Sequence, residues 1–315
     1  MSPVLAGVAA ATALACAVAV GACGFGAGPS SSGTATLTVT RDYGSRTLVD
    51  ATVDDPPSSE TVIRFLDSKA DISTRYGGGF VQSIDGLAGT GDSDWFFYVN
   101  GIESPVGSAD VEVKGGDRIW WDYRNWTVAI SVPAVVGSWP EPFAQESADH
   151  PRPVQVECLG ARPACQTASD RLGEAGAKAH VETGGDGGAA DSPRMLVGPW
   201  SRVRADPAVD ELRGSPQSTG IFATFKAPQE PRPRLIGLDD TGKPAKDFGT
   251  DTGLVAALRG SADEPIWIVT GSAGPAVQRA ADALGSPSLR NRYAIAATDE
   301  AAVPLPIVQT GGGAR

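Results

Sequence analysis

The 315-residue chain carries 26 Lys and Arg against 37 Asp and Glu, a net charge of −11, and it contains only two histidines. Nucleic acid is a poor candidate partner, because phosphate binding needs a basic face and the chain has no run of Lys or Arg. A zinc site or a Ser-His-Asp triad is disfavoured, since neither His150 nor His180 has a second ligand-type residue at metal spacing. The length corresponds to about two domains.

An uncharged, Ala- and Val-rich run occupies residues 3–22 and ends in Val20-Gly21-Ala22, directly before Cys23. It resembles a bacterial lipoprotein signal peptide, in which an aliphatic residue stands three before the cysteine and small residues directly precede it. The resemblance implies that residues 1–22 are removed, that Cys23 is lipidated, and that the chain lies on the extracytoplasmic side of the cell membrane. An uncleaved anchor is the alternative, because the run approaches the ~17–25 residues of a membrane span. Residues 23–33 are rich in Gly and Ser, which predicts a flexible tether.

The first domain is expected over residues 34–130. Apolar and Thr side chains alternate in residues 34–40, which predicts a half-buried strand, and a second strand is expected at 47–53. A helix follows, and its apolar stripe comprises Val62, Ile63, Leu66 and Ala70. Residues 80–84 predict another strand, and two aromatic strands come after it. The order β-β-α-β-β-β predicts an α+β domain in which one helix lies on a mixed sheet.

Two aromatic segments, residues 94–101 and 116–126, dominate this domain, and the first ends in Asn-Gly, a strong hairpin signal. Side chains alternate along a strand, so one face of the first segment should carry Trp95, Phe97 and Val99, and the other Phe96, Tyr98 and Asn100. In the second segment Ile119, Trp121 and Tyr123 should oppose Trp120, Asp122 and Arg124. A sheet with one solvent-exposed face should not carry aromatic side chains on both faces. Either another part of the chain or a ligand therefore covers the second face, and the predicted ligand face comprises Trp95, Phe96, Tyr98 and Trp120.

Two short signatures occur in this domain, Trp-x-x-Tyr-Val-Asn-Gly at residues 95–101 and Gly-Asp-x-Ile-x-Trp-x-Tyr at residues 116–123. With the helix after a first strand pair, they resemble the transcobalamin-like C-terminal domain family of small bacterial domains. The resemblance covers residues 34–126 and implies the fold of the transcobalamin β-domain. In the animal carriers that domain closes over cobalamin from one side, while a separate helical barrel holds the other; no segment here resembles the barrel. The ligand that the resemblance implies is cobalamin or a related compound.

Residues 131–152 are rich in Pro, Glu, Ser and Asp and are interpreted as a linker, and residues 306–315 as a disordered tail. Between them, residues 153–305 alternate strand and helix patterns. Strands are predicted at residues 154–158, 179–181, 265–270 and 293–296, helices at 165–177, 206–212, 252–259 and 275–284, and an antiparallel pair at 221–225 and 234–238. This alternation predicts a small α/β domain with a mostly parallel sheet.

Cys158 ends a predicted strand and Cys165 starts a predicted helix, so a disulfide is expected outside the cytoplasm; two free thiols are the alternative.

Residues 270–275 form a turn that could present N–H groups to an anion, but they lack the Lys of a phosphate loop, and a plain turn is favoured. Arg202 and Arg204 could bind an anion or pair with neighbouring acids. No metal site is predicted, and loop carboxylates are interpreted as solvated turn residues.

Three functions follow from these patterns. The first is a membrane-anchored binding lipoprotein that recognises cobalamin or a related ligand for uptake, with membrane lipid through Cys23 and a membrane importer as partners. The second is a structural or protein-interaction module of the cell envelope without small-molecule binding. The third, an enzyme with its site at the ends of the second domain's strands, is discounted, because no nucleophile–base pair or metal set is visible.

Overall fold

The computed structural model describes residues 30–144, 153–184, 192–214, 216–259 and 265–308. The predicted signal peptide, Cys23 and most of the tether lie outside the described residues. The same holds for His150, for residues 145–152 of the predicted linker and for residues 309–315 of the predicted tail.

The first half of the chain is built mainly of strands. Its elements are β1 (Thr34–Arg41), β2 (Arg46–Asp54), α1 (Val62–Asp67), β3 (Ile72–Arg75), β4 (Phe80–Ile84), β5 (Leu87–Ala88), β6 (Ser93–Val99), β7 (Ile102–Glu103) and β8 (Arg118–Asn125). The larger sheet has five strands in the order β2-β1-β8-β6-β7, and its one parallel pair is β1 with β8. A second, antiparallel sheet has the order β3-β4-β5, and a 3₁₀ turn at Tyr76–Gly78 joins its first two strands.

The predicted layout of one helix on one mixed sheet is wrong for this half. Helix α1 has six residues and ends at Asp67. Strand β3, which was not predicted, begins at Ile72. The sequence Ile72-Ser73-Thr74 contains two β-branched residues, which favour a pleated strand over a continued helix. The apolar stripe is confirmed in part: α1 buries Val62 and Leu66 against the five-stranded sheet. Ile63 is only partly buried, Ala70 lies beyond the end of the helix, and Phe65, which was not predicted, is buried as well.

The second half is built around a larger sheet. Its elements are β9 (Val154–Cys158), α2 (Arg162–Glu174), β10 (Ala179–Thr183), β11 (Arg194–Pro199), α3 (Trp200–Val203), β12 (Ala223–Lys226), β13 (Arg234–Leu238), β14 (Pro244–Gly249), β15 (Gly253–Arg259), β16 (Pro265–Gly271), α4 (Gly274–Asp282), α5 (Ser286–Leu289), β17 (Ala294–Ala297) and β18 (Ala302–Leu305). The segment Pro207–Gly214 is a 3₁₀ helix.

The large sheet is mixed, so the predicted α/β domain with a mostly parallel sheet is also wrong. Its seven strands follow the order β10-β9-β11-β16-β15-β17-β18; the first four are parallel and the rest antiparallel. A separate antiparallel sheet, β12-β13-β14, contains the predicted pair. Strands make up 42% and helices 17% of the structure.

The clearest single error concerns residues 252–259, which were predicted as a helix and instead form the internal strand β15. Its residues from Gly253 to Leu258 are all buried, since β16 and β17 flank the strand and other elements cover both its faces. A run that is apolar at every position fits a fully buried strand as well as a buried helix, and its alanines favoured the wrong choice.

Two layers cover the seven-stranded sheet. Helices α2 and α4 bury their apolar residues on one face, while the 3₁₀ segment and the three-stranded sheet cover the other. The described part of the predicted linker is also packed: Val136, Trp139 and Phe143 are buried in the core on the helix side. These residues therefore belong to the core of the second half, and of the first half the partly buried Ile102 packs against that core.

Candidate functional site

The two aromatic segments lie side by side as strands β6 and β8. They pair antiparallel, with Tyr98 opposite Trp120 and Phe97 opposite Trp121. The predicted turn follows directly, because Asn100 has φ 55° and the hairpin continues into β7. Asn100 serves this turn, as expected: its side chain accepts a hydrogen bond from the Arg118 N–H at 2.8 Å.

The inner face of this pair belongs to the core of the first half. Trp95 and Trp121 are buried beside α1, and Phe97 stacks on Trp121 at 4.8 Å between ring centroids. The indole N–H of Trp95 donates to the Leu87 carbonyl oxygen at 2.9 Å. Trp95 is therefore a core residue with its polar atom satisfied.

The outer face is covered by the second half of the chain. Tyr98 is 0% exposed and Trp120 is 3% exposed. Both pack on Tyr293, with ring centroids 5.9 and 5.2 Å away, and Phe222 belongs to the same buried cluster. Phe96 is half-buried, and the Arg124 guanidinium lies 3.7 Å from its ring centroid. Of the two explanations that the sequence left open, the chain itself covers the second face.

A buried carboxylate sits at the centre of this contact. Asp122 is fully buried, and its oxygens accept from the Thr40 hydroxyl at 2.6 Å, the Gly44 N–H at 3.1 Å and the Tyr293 hydroxyl at 2.9 Å. The Tyr98 hydroxyl in turn donates to that of Tyr293 at 3.4 Å. Burial raises the pKa of Asp122 from its ordinary 3.8 to about 6, although these donors favour the ionised form.

Arg124 lies beside the carboxylate and fixes the chain that leaves β8. Its guanidinium donates to the carbonyl oxygens of Ala129 at 2.6 Å and Ile130 at 3.1 Å, and it lies 3.8 Å from Glu103. A perturbed carboxyl can mark a functional site. Here Asp122 is the group that accepts from Tyr293 of the second half, whereas Arg124 contacts residues of the first half. Both side chains are buried, so their acid–base groups are withheld from solvent.

Residues that the sequence did not single out make this contact possible. Gly44 has φ 76°, and a Cβ there would lie 2.0 Å from the Asn291 carbonyl oxygen. A Cβ on Gly137 would lie 2.7 Å from the Trp120 ring. Together with Tyr293, these glycines let the loop before β17 approach the aromatic sheet. No local pattern in residues 42–44 indicates which part of the chain packs on them.

The predicted disulfide is confirmed. Cys158 and Cys165 are bonded with an S–S distance of 2.03 Å, and the bond joins the end of β9 to the first turns of α2. The other two cysteines, Cys16 and Cys23, lie outside the described residues.

The remaining polar candidates have ordinary local roles. The Thr270 hydroxyl donates to the Gly198 carbonyl oxygen at 2.8 Å, and a Cβ on Gly271 would lie 2.6 Å from the Ala276 side chain. The 270–275 turn is thus a close strand-to-helix packing. Asp206 forms an ion pair with Arg194 at 2.6 Å, and not with Arg202 or Arg204 as the sequence suggested. In the described parts of the chain, no three His, Cys, Asp or Glu side chains are grouped as a metal site requires.

Apolar side chains are exposed at the tip of the β3–β4 hairpin. We define the hairpin-tip surface as Tyr76, Phe80 and Val106, which are 87%, 40% and 51% exposed. The rings of Tyr76 and Phe80 lie edge to face with centroids 6.5 Å apart. This surface was not predicted.

Known proteins match parts of this chain. Residues 59–125 match the model of a domain of unknown function, DUF4430, a span well under half of the chain. The chain is also similar to a crystal structure from Ruminococcus gnavus that is provisionally described as a metal-binding protein, at 14% identity and a TM-score of 0.24, over 30% of this chain and 97% of that one. No curated protein matches. Within the described ranges, no helix is long and apolar enough to cross a membrane. The domain match is compatible with the transcobalamin-like resemblance of the first half.

Proposed function

We propose that this chain is a lipid-anchored, extracytoplasmic interaction protein of the bacterial cell envelope. The observation that carries the proposal is the burial of Tyr98 and Trp120 under the second half. That contact uses the aromatic face that a flat ligand such as cobalamin would need. Exposed side chains elsewhere, foremost the hairpin-tip surface, are then what the protein offers to other components of the envelope.

Two features support the extracytoplasmic location. Val20-Gly21-Ala22 before Cys23 follows the lipoprotein pattern. The Cys158–Cys165 disulfide fits an oxidising compartment, because such bonds are rare where thiols are kept reduced. The expected partners are membrane lipid through Cys23 and a membrane importer or another envelope protein.

Metabolic labelling tests the anchor. Cells that express the full chain with an alkyne-bearing palmitate should label it, and the Cys23→Ala variant should not be labelled. Cys16→Ala is the matched control, because it removes the other cysteine of the leader and should keep the label. An unlabelled wild-type chain, or equal labelling of the Cys23→Ala variant, contradicts the proposal.

Calorimetry separates the interaction protein from the cobalamin carrier, which remains the competing proposal because of the family resemblance. The purified full chain in detergent should release no heat with cobalamin. A saturable, stoichiometric heat would mean that the halves part to admit the ligand, and the carrier would then replace the present proposal.

A further inference from the structure

We propose that the hairpin-tip surface docks on the lipid bilayer that carries the anchor. The inference rests on the proposed lipidation of Cys23 and adds a second contact between the folded chain and the membrane. In this contact the side chains of Tyr76, Phe80 and Val106 are buried in the bilayer interface.

The first argument is concentration of exposed apolar area. Six large apolar side chains are exposed in the described residues, and three of them belong to this one surface. Val106 comes from a separate loop, but a Cβ on Gly107 would lie 3.1 Å from the Gly79 carbonyl oxygen, so that loop lies against the hairpin tip. Apolar residues scattered singly need no explanation, whereas a cluster on one tip indicates a contact outside the chain.

The second argument is the backbone of Tyr76. Its φ of 56° is costly for a bulky side chain, yet its ring is 87% exposed and gains little from packing within the fold. A neighbour that buries the ring would offset this cost.

The third argument is where the chain leaves the described structure. Ser31 Oγ accepts from the Gly115 N–H at 2.7 Å, which fixes the entry of the N-terminal segment. Gly115 and Gly107 belong to one loop and are at most about 28 Å apart along an extended chain. Cys23 is seven residues before Ser30 and reaches at most about 25 Å. A lipid on Cys23 therefore keeps the tip within reach of the same bilayer.

The chemistry of the surface suits the membrane interface. A Tyr ring partitions to the headgroup region, where its apolar body and polar hydroxyl are both accommodated, and the apolar Phe and Val side chains can be buried at the boundary with the acyl chains. The nearby charges are of opposite sign, since exposed Arg75 precedes Tyr76 and Asp110 lies beside Gly107. Docking should consequently depend on apolar burial, and it should persist in vesicles without anionic lipid.

The test uses the processed, lipidated chain in phosphatidylcholine vesicles. Cys158 and Cys165 are bonded to each other, and lipidation occupies Cys23, so one introduced cysteine can be labelled selectively. Val106→Cys with an environment-sensitive nitrobenzoxadiazole label reports on the tip. Val181→Cys is the matched control, because Val181 is an exposed apolar residue of the second half.

The label at position 106 should show a blue-shifted emission and quenching by nitroxide-bearing lipids, and the label at position 181 should show neither. Adding Tyr76→Ser and Phe80→Ser to the Val106→Cys chain should abolish that quenching, while vesicle flotation through the anchor persists. Since these side chains are exposed, thermal unfolding of the variants should match that of the wild type.

The two proposals fail differently. A chain that floats with vesicles but shows equal, unquenched labels at both positions overturns bilayer docking and leaves the anchor intact. If the label at 106 is shielded only when envelope proteins are added, the occupant is a protein and the bilayer assignment is overturned. A chain that does not float contradicts the anchor itself.

Discussion

Replacement of Tyr293 by Phe tests whether the buried carboxylate links the two halves. The change removes one hydroxyl, which donates to Asp122 at 2.9 Å and accepts from Tyr98 at 3.4 Å, and it leaves the ring in place. A hydrogen bond to a charged group contributes about 1.5–3 kcal/mol to the free energy of unfolding, and a neutral one about 1 kcal/mol. The loss of unfolding free energy caused by Tyr293→Phe should therefore depend on whether Asp122 is ionised.

The direction with pH follows from the pKa of Asp122. Its folded-state pKa of about 6 exceeds the ordinary 3.8, so the native chain holds this proton more tightly than the unfolded chain. The contribution of this group to stability is present below pH 4 and is lost as the pH rises towards and past 6, by roughly 3 kcal/mol. At pH 8 the carboxylate is charged, and Tyr293→Phe should cost about 2–3 kcal/mol; at pH 5 it is mostly protonated, and the cost should be about 1 kcal/mol.

Urea unfolding followed by tryptophan fluorescence at pH 5 and pH 8 measures both losses. Tyr43→Phe is the matched control, since Tyr43 lies in the same buried cluster but donates to a neutral backbone oxygen, that of Asn125, at 2.7 Å. It should lose about 1 kcal/mol at both pH values. Equal losses for Tyr293→Phe at the two pH values, or the same pH dependence in the control, would refute the reasoning.

Three further changes follow from the same structure. Asp122→Asn replaces the buried charge by a neutral side chain of the same shape. The variant should therefore be more stable than the wild type at pH 8, and its free energy of unfolding should lose the pH dependence of roughly 3 kcal/mol. A variant that is less stable than the wild type at pH 8 contradicts this reasoning. Gly44→Ala should lower the free energy of unfolding in urea by about 1–3 kcal/mol more than Gly86→Ala does. Both glycines have φ near 77°, but only Gly44 faces a backbone oxygen of the second half. Equal losses for the two variants would show that the backbone at this contact shifts without cost and would contradict the prediction. The double substitution of Cys158 and Cys165 by Ser should lower the free energy of unfolding by about 2.5 kcal/mol, since the bond closes a loop with a sequence separation of 7, and an unchanged urea midpoint would contradict it.

Local patterns sufficed for some elements. Strict alternation assigned Trp95 and Phe97 to one face and Phe96 and Tyr98 to the other, as the structure has them. Strand β9 was predicted with its exact bounds, and the disulfide followed from its position. These succeed because side-chain period and loop length are properties of neighbouring residues.

Other elements depend on contacts that periodicity does not record. Strand β15 has no polar face, so only its flanking strands distinguish it from a helix. The short strands β14 and β18 lie at sheet edges, where each pairs with the strand just before it in the chain, and neither shows an alternation that would have predicted it. The hairpin-tip surface was missed because the exposure of Tyr76 depends on where the loop at Gly107 lies, and periodicity does not predict the path of a loop.

By itself, the sequence determined that the second face of the aromatic sheet had to be covered, because rings on both faces cannot all remain in water. It did not determine what covers that face, since apolar burial is non-directional and a ligand or a protein surface would satisfy it equally. Only the tertiary structure decided this, by bringing Tyr293 to within hydrogen-bonding distance of Asp122, 171 residues away in sequence. The close approach at Gly44 and the shared buried carboxylate provide the shape and polar match that select the chain's own second half.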